Sequence, residues 1–515
     1  MKSNSRDETV LTVIETADIE RFMSRFSIGR DSNPMNPTGS LHFLRLKVPG
    51  GSLSTKQLRG VADLAEKYGR SQAEITNRQD IQLHWIDAAD ALDIFSRMDK
   101  LGFTTDMCGQ SFSGARYGDA RNIVLCPVSG IEKDELLNGY HLMKELSNFL
   151  IGNPNFQDMP RKFKFSISGC GSDCTRAETN DLAFVGVKKN GEVGYTTLLG
   201  GSMGASLPGP RLAKPLGIFV RPEDAFNVAI ATIEIHRDYG NRQTKAKARF
   251  KWLLEEWGIE KFRNTLENKL GRPLESYSVS AFTKNEVHDG VQLQKQRGYH
   301  YVNIPLIGGA LSSKQMLSLA DLADEYGSGE LRLTCTQNLI LPNIKEKELV
   351  LKRLEALGFL LQGSKLRWAS MGCASDFCGK TKSPHAKEVV RDIVEYLEKK
   401  FAREALAQAK LRIHASGCPN NCCANLIAEI GLRGKLVRDK ENLKQNYDIM
   451  LLGTYEQEQR MGSVIIGAVP AEDVKHKIKS LLSNYLKHRK SDEDLGQFCK
   501  RHTTEELQKY LEGDV

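Results

Sequence analysis

Two stretches of this chain carry one pattern of apolar and polar positions. GGSLSTKQLRGVADLAEKYG at 50–69 returns as GGALSSKQMLSLADLADEYG at 308–327. Each opens on a Gly-Gly turn and then spaces leucine and alanine at helical intervals. Each closes on Tyr-Gly. The pattern predicts a loop and an amphipathic helix, N-capped by Ser54 or Ser312 and stopped by glycine. Alternating, strand-like runs precede the helices at 41–48 and 301–307 and follow them at 74–86 and 331–344. The offset holds at 258 from Leu53/Leu311 to Gln79/Gln337, which marks an internal repeat and predicts two halves packed pseudo-symmetrically.

The repetition continues more loosely. KFKFSISGCGSDC aligns with KLRIHASGCPNNC at an offset near 248, and RNIVLCP (121–127) with RWASMGCA (367–374). Each half is therefore expected to carry an α/β domain after its smaller repeat unit. The halves differ in chemistry, since Arg78 of the first stands where the second has Thr336. A cationic half facing a thiol-rich half suggests a cofactor held between them.

Composition narrows the classes. The chain has 515 residues, 40% of them hydrophobic and 26% charged, enough for a large core in several domains. No run reaches the roughly 18 apolar residues of a membrane span, and the N-terminus has no apolar signal region, so a cytoplasmic protein is expected. The net charge of +8 suits an acidic partner or an internal polyanionic cofactor. Nucleic acid is disfavoured, because the basic residues are dispersed and no zinc-finger or RNP-type pattern occurs.

Eleven cysteines without a signal region point to metal rather than disulfides. Cys373 with Cys378, and Cys418 with Cys422, form two tight pairs. Such pairs can surround zinc or an iron–sulfur cluster, and spacing alone does not choose between them. Cys423 is expected to point away from the metal, Cys499 to be a buried thiol, and 383–400 to form a helix between the pairs. In the first half Arg78 and Gln82 would share a strand face, Arg121 lies nearby, and Lys162 and Lys164 alternate with Phe163, Phe165 and Ile167. Converging cations of this kind suit a small oxyanion or a carboxylate-rich cofactor.

From about residue 41 onward the chain resembles the sirohaem-containing sulfite and nitrite reductases, through RLKVPGGSLS, TNRQDIQLH, RNIVLCP, MPRKFK, NDLAFV, LLGGSMG, TQNLIL, SGCPNNC and AEIGLRGK. The resemblance implies a duplicated, three-domain α/β (α+β) fold with mixed and antiparallel sheets. Its parts would be an N-terminal extension (1–40), a ferredoxin-like repeat domain (41–110 with 297–355), a cationic α/β domain (111–296) and a cluster-bearing α/β domain (356–515). It further implies a 4Fe-4S cluster on Cys373, Cys378, Cys418 and Cys422, the last bridging to sirohaem. The CASDFC spacing is one residue shorter than the family's first pair. Arg78, Arg121, Lys162 and Lys164 would serve catalysis, with Arg78, Gln82, Arg121, Lys162, Asn420 and Cys422 at the cofactor. Within that family the Lys-x-Lys pattern implies six-electron reduction of sulfite to sulfide, with nitrite reduction to ammonia by the same mechanism as the alternative. With no flavin or dinucleotide motif in the chain, electrons would come to a monomer from an acidic ferredoxin, or else from a separate flavoprotein subunit. A non-catalytic zinc or iron–sulfur protein that binds nucleic acid or another protein is the competing class. Cys170 and Cys174, with Cys108 and Cys126 for company, read as an inherited echo of the second-half turn rather than as a second metal site.

Overall fold

The computed structural model describes residues 26, 28–30, 41–105, 119–204, 209–278, 288–378, 385–439, 442–451 and 461–513. The first repeat runs β1 (Leu41–Lys47), β2 (Ser52–Ser54), α1 (Thr55–Tyr68), β3 (Gln72–Ile75) and β4 (Ile81–Asp87). The first α/β layer follows with β5 (Val124–Leu125), α2 (Tyr140–Leu150), β6 (Phe165–Ser168), β7 (Leu182–Lys189), β8 (Glu192–Leu199), α3 (Ala225–Tyr239) and α4 (Phe250–Leu270). The second repeat comprises β9 (His300–Ile304), β10 (Ala310–Ser312), α5 (Ser313–Tyr326), β11 (Glu330–Leu333) and β12 (Leu339–Ile344). The second α/β layer holds β13 (Met371–Gly372), α6 (Ala386–Lys400), β14 (Ile413–Ser416), β15 (Ile430–Asp439), β16 (Asn442–Leu451) and β17 (Ser463–Pro470), before three C-terminal helices.

Both repeat helices begin as expected. Ser54 accepts from the Gln57 amide and Ser312 from the Gln315 amide, and each glutamine returns a bond to its cap, so both are capping boxes. The repeats also exchange strands. β2 of the first pairs with β11 of the second, and β10 of the second pairs with β3 of the first. The helices α1 and α5 pack together, with Arg59 reaching Asp321 and Asp324. One apolar core therefore takes residues from both repeats, including Leu58, Val61, Leu319 and Leu322.

The two α/β layers share a topology. β5, β6 and β7 are parallel and β8 turns back; β13, β14 and β15 are parallel and β16 turns back. Each layer has its own core. The fold is thus the duplicated one expected, with mixed sheets.

The single strands expected over 74–86 and 331–344 are each broken. Thr76 Oγ1 accepts from the amides of Arg78 and Asp80, and Thr334 Oγ1 accepts from the amide of Asn338. A threonine hydroxyl that takes the following amides offers the backbone a turn instead of a ladder. Gln79 and Gln337 stand in these turns at φ 60° and 65°.

Candidate metal centre and anion site

These paired turns position everything else. Gln79 Nε2 donates to the carbonyls of Leu125 (2.8 Å) and Leu333 (2.9 Å), and its Oε1 accepts from Leu125 N (2.9 Å). Gln337 does the same to Gly372 N and O, with Ile75 O as its third partner. Each buried glutamine thus locks the strand that ends just before a cysteine, Cys126 in one half and Cys373 in the other. Arg78 is consequently a turn residue, which corrects the shared strand face expected for Arg78 and Gln82. Gln82 lies within β4, and its Oε1 is taken by Arg45 Nε and Nη2 at 3.0 and 2.7 Å.

The basic residues of the first half do converge. Arg78 donates to Asn180 Oδ1 (2.8 Å) and to the carbonyls of Asn122 and Phe165. Phe163, Phe165 and Ile167 are buried in the core, leaving Lys162 and Lys164 on the other side. Burial, then the charges of Arg249, Arg78 and Lys162, push the Lys164 ammonium well below its ordinary pKa, against the pull of Asp181. Arg121 is buried and paired with Asp119 at 3.1 Å.

Two cations here were not found from the sequence. Arg249 grips buried Asp181 at 2.9 and 3.0 Å, and Asp181 also accepts from the Lys164 amide. Lys251 is buried against the carbonyls of Gly204 and Gly209, and burial lowers its pKa to about 8. Both precede or open a helix far along the chain from RKFK, so no local spacing betrays them.

The second half meets this surface through SGCPNNC. Asn77, beside Arg78, donates to the carbonyl of Cys422, and Asn421 donates to Met203 O of the LLGGSMG loop (3.0 Å). Cys422 is exposed, Cys418 and Asn420 are partly buried, and Cys423 is buried, as expected of a residue turned away. Cys373 Sγ accepts from Gly417 N at 3.1 Å and from Ser375 N at 3.3 Å. Paired backbone amides are how a cluster thiolate is held and stabilised, so this turn fits an iron–sulfur group. Gly417 packs closely there, since a Cβ would come within 3.2 Å of the Ser375 Cα and would press it back by a few tenths of an ångström. The expected intervening helix is α6. Cys378 ends a short 3-10 turn, Ser375–Cys378; its side chain, and Cys108 entirely, lie outside the described residues.

The first-half turn is more than an echo. Cys126, Cys170, Cys174 and His288 form a buried Cys3His metal-binding group, with donor atoms all within 4.8 Å of one another. It is the one such group among the described residues. Three thiols and an imidazole make a donor set that zinc and iron–sulfur sites both use. His288 was missed because it enters from a segment more than a hundred residues beyond Cys174.

The pattern described as "Nitrite and sulphite reductase 4Fe-4S domain" matches residues 117–274 and 371–515, and "Nitrite/Sulfite reductase ferredoxin-like half domain" matches 33–101 and 292–357. The chain belongs to the nitrite and sulphite reductase family. A ferredoxin–nitrite reductase of Leptolyngbya laminosa is 32% identical, over 86% of this chain and 86% of its own length. Sulfite reductase (ferredoxin) 2 of Mycolicibacterium paratuberculosis is 32% identical over 90% and 83%. The solved structure of the Mycobacterium tuberculosis NirA protein superposes with a TM-score of 0.83 at 28% identity, covering 96% of this chain and 92% of that one. No helix among the described residues is long and apolar enough to cross a membrane.

These relatives overturn the expected preference for sulfite. The Leptolyngbya laminosa relative is a ferredoxin–nitrite reductase, and one of Synechococcus elongatus is also 32% identical, over 85% of this chain. The physical reason lies at Lys164. Burial and neighbouring cations disfavour its charge, so a lysine there does not differ from a neutral side chain in the way the Lys-x-Lys argument requires.

Proposed function

We propose that this family member reduces nitrite to ammonium, a six-electron reaction fed by single electrons from a reduced ferredoxin-class carrier. The observation that carries this reading is the docking of the basic turn of the first half, through Asn77, onto the carbonyl of Cys422 in the second. The thiols of Cys373, Cys378, Cys418 and Cys422 would hold a 4Fe-4S cluster with sirohaem beside Cys422, together supplying one-electron transfer and a binding place for nitrite nitrogen. Arg78, fixed by Asn180 and Asn122, orients an anion oxygen and offsets its charge. Lys162 donates a proton to departing oxygen, which leaves as water. Lys164, disposed to be neutral, lines the anion site as a polar group and carries no obligatory proton step. Arg121, partly neutralised by Asp119, faces cofactor carboxylates together with Arg249 and Lys162. Asn420 and Gln82 complete the surroundings of the cofactor. The net charge of +8 favours an acidic carrier.

The test is turnover by cofactor-loaded protein with dithionite-reduced methyl viologen or reduced ferredoxin. Ammonium is expected to form in step with nitrite consumed, and Lys162→Met to lower kcat/KM about 100-fold. Sulfide from sulfite with no ammonium from nitrite would overturn the proposal.

A further inference from the structure

We infer that Cys126, Cys170, Cys174 and His288 bind a single tetrahedral zinc ion, separate from the redox centre, which staples the first α/β layer to the start of the second repeat. The geometry is that of one ion. The sulfurs of Cys126 and Cys170 lie 3.6 Å apart and those of Cys170 and Cys174 3.5 Å apart. His288 Nε2 is 3.6 Å from both Cys126 Sγ and Cys170 Sγ. A zinc ion with ordinary bond lengths spaces tetrahedral sulfurs by about 3.8 Å, and sulfur from nitrogen by about 3.5 Å. A cubane puts its thiolates on different irons and holds them much farther apart, so this group closes on one ion rather than on a cluster.

The supporting atoms suit such an ion. His288 Nδ1 faces Glu132 Oε2 at 3.2 Å, which aims Nε2 at the sulfurs. Tyr301 in turn donates to that carboxylate at 3.3 Å. Carboxylate–histidine pairs of this kind orient zinc-binding imidazoles and fix their tautomer. Ser168 Oγ lies 3.4 Å from Cys170 Sγ and 3.9 Å from Cys174 Sγ. All four ligand residues are buried, which leaves no open coordination position for substrate; a closed, four-ligand site is the structural type.

The duplication explains how such a site arose beside a redox centre. Cys126, Cys170 and Cys174 stand at offsets of 247, 248 and 248 from Cys373, Cys418 and Cys422. Gln79 and Gln337 pin the two preceding strands alike. Only the fourth ligand differs. Instead of a cysteine from the same loop, His288 arrives with the segment whose Gly290 carbonyl accepts from Asn303 of β9. Asn303 also donates from its side chain to His288 O at 2.9 Å. The ion thus joins the end of β6, the strand that follows RKFK, to β9. Two residues past Cys174, Arg176 donates to the carbonyls of Asn77 and Cys335, so the staple abuts the junction of the halves.

Elemental analysis of purified holoprotein is expected to find about one zinc per chain in addition to its iron. His288→Ala and Cys170→Ser should each cut the zinc at least about tenfold, with iron content and visible absorbance kept, and His288→Cys should restore it. Titrating wild-type holoprotein with a mercurial thiol reagent, while a chromogenic chelator reports released zinc, needs no variant to fold. Failure to release zinc would overturn the inference, as would loss of iron on substituting His288. The count is read without turnover, so it stands or falls apart from the assignment of nitrite.

Discussion

His236 shows how far one residue can set the response to acid. It is fully buried between Phe163 and Phe250, with Nε2 against the Arg161 carbonyl. Burial lowers its pKa to about 4; Asp181 and the Arg161 carbonyl pull the other way, and Arg249 and Arg242 add to the lowering. Between pH 6.5 and 4 the unfolded chain therefore takes up a proton that the folded one refuses. The neutral imidazole costs nothing above pH 6.5, and stability falls as the pH drops through that window, by about 3 kcal/mol. Denaturant titrations at pH 7 and pH 4 are expected to show this loss, and His236→Gln to remove most of it. Lys164 makes the complementary case for activity. As its charge is already disfavoured, Lys164→Asn is expected to keep kcat/KM for nitrite within about threefold, far less than the loss at Lys162. A loss as large as that of Lys162→Met would show that a charged amine is required there.

At the scale of elements, the two glutamine turns are the joints of the molecule. Gln79→Ala and Gln337→Ala each abolish three buried hydrogen bonds and orphan their backbone partners. Each is expected to cost about 3 kcal/mol in thermal or denaturant unfolding, the two losses being similar because the joints are equivalent. The repeat itself was readable in advance. A constant offset and identical Ser-x-x-Gln caps survive in sequence because capping depends on neighbours three residues apart. The turns were not readable, because TNRQD between apolar alternations looks like an uninterrupted strand until the Thr76 hydroxyl takes the following amides. The thiols of SGCGSDC were visible too. Their fourth partner was hidden because nothing near His288 hints at sulfur; Glu132 and the thiols reach it only through the fold. Arg249 stayed hidden for the same reason, since its partner Asp181 lies 68 residues away.

At the scale of the whole molecule, ties between the halves are buried and charged. Lys387 of α6 reaches Glu74 of β3 at 2.7 Å, and His84 of β4 holds the same carboxylate oxygen at 2.9 Å. Together with Asn77 on Cys422 and Arg176 on Cys335, such contacts fix the cationic face of one half over the thiol face of the other. A site built across two bodies keeps its geometry only if the bodies cannot slide. Rigidity of this kind is what an anion site needs, since preorganised donors lose little when the charge of the bound anion changes.

The traded strands carry a consequence for ancestry. Ser52–Ser54 completes the sheet of the second repeat, and Ala310–Ser312 completes that of the first. A lone copy would leave a sheet edge open for want of its partner's three residues. An ancestor with one copy would have had to assemble in pairs, clasped by reciprocal strand donation. Fusing two such copies would tether subunits already interlocked, and leave each free to change its own loops, as the first half did in gathering cations and in replacing a cysteine by His288.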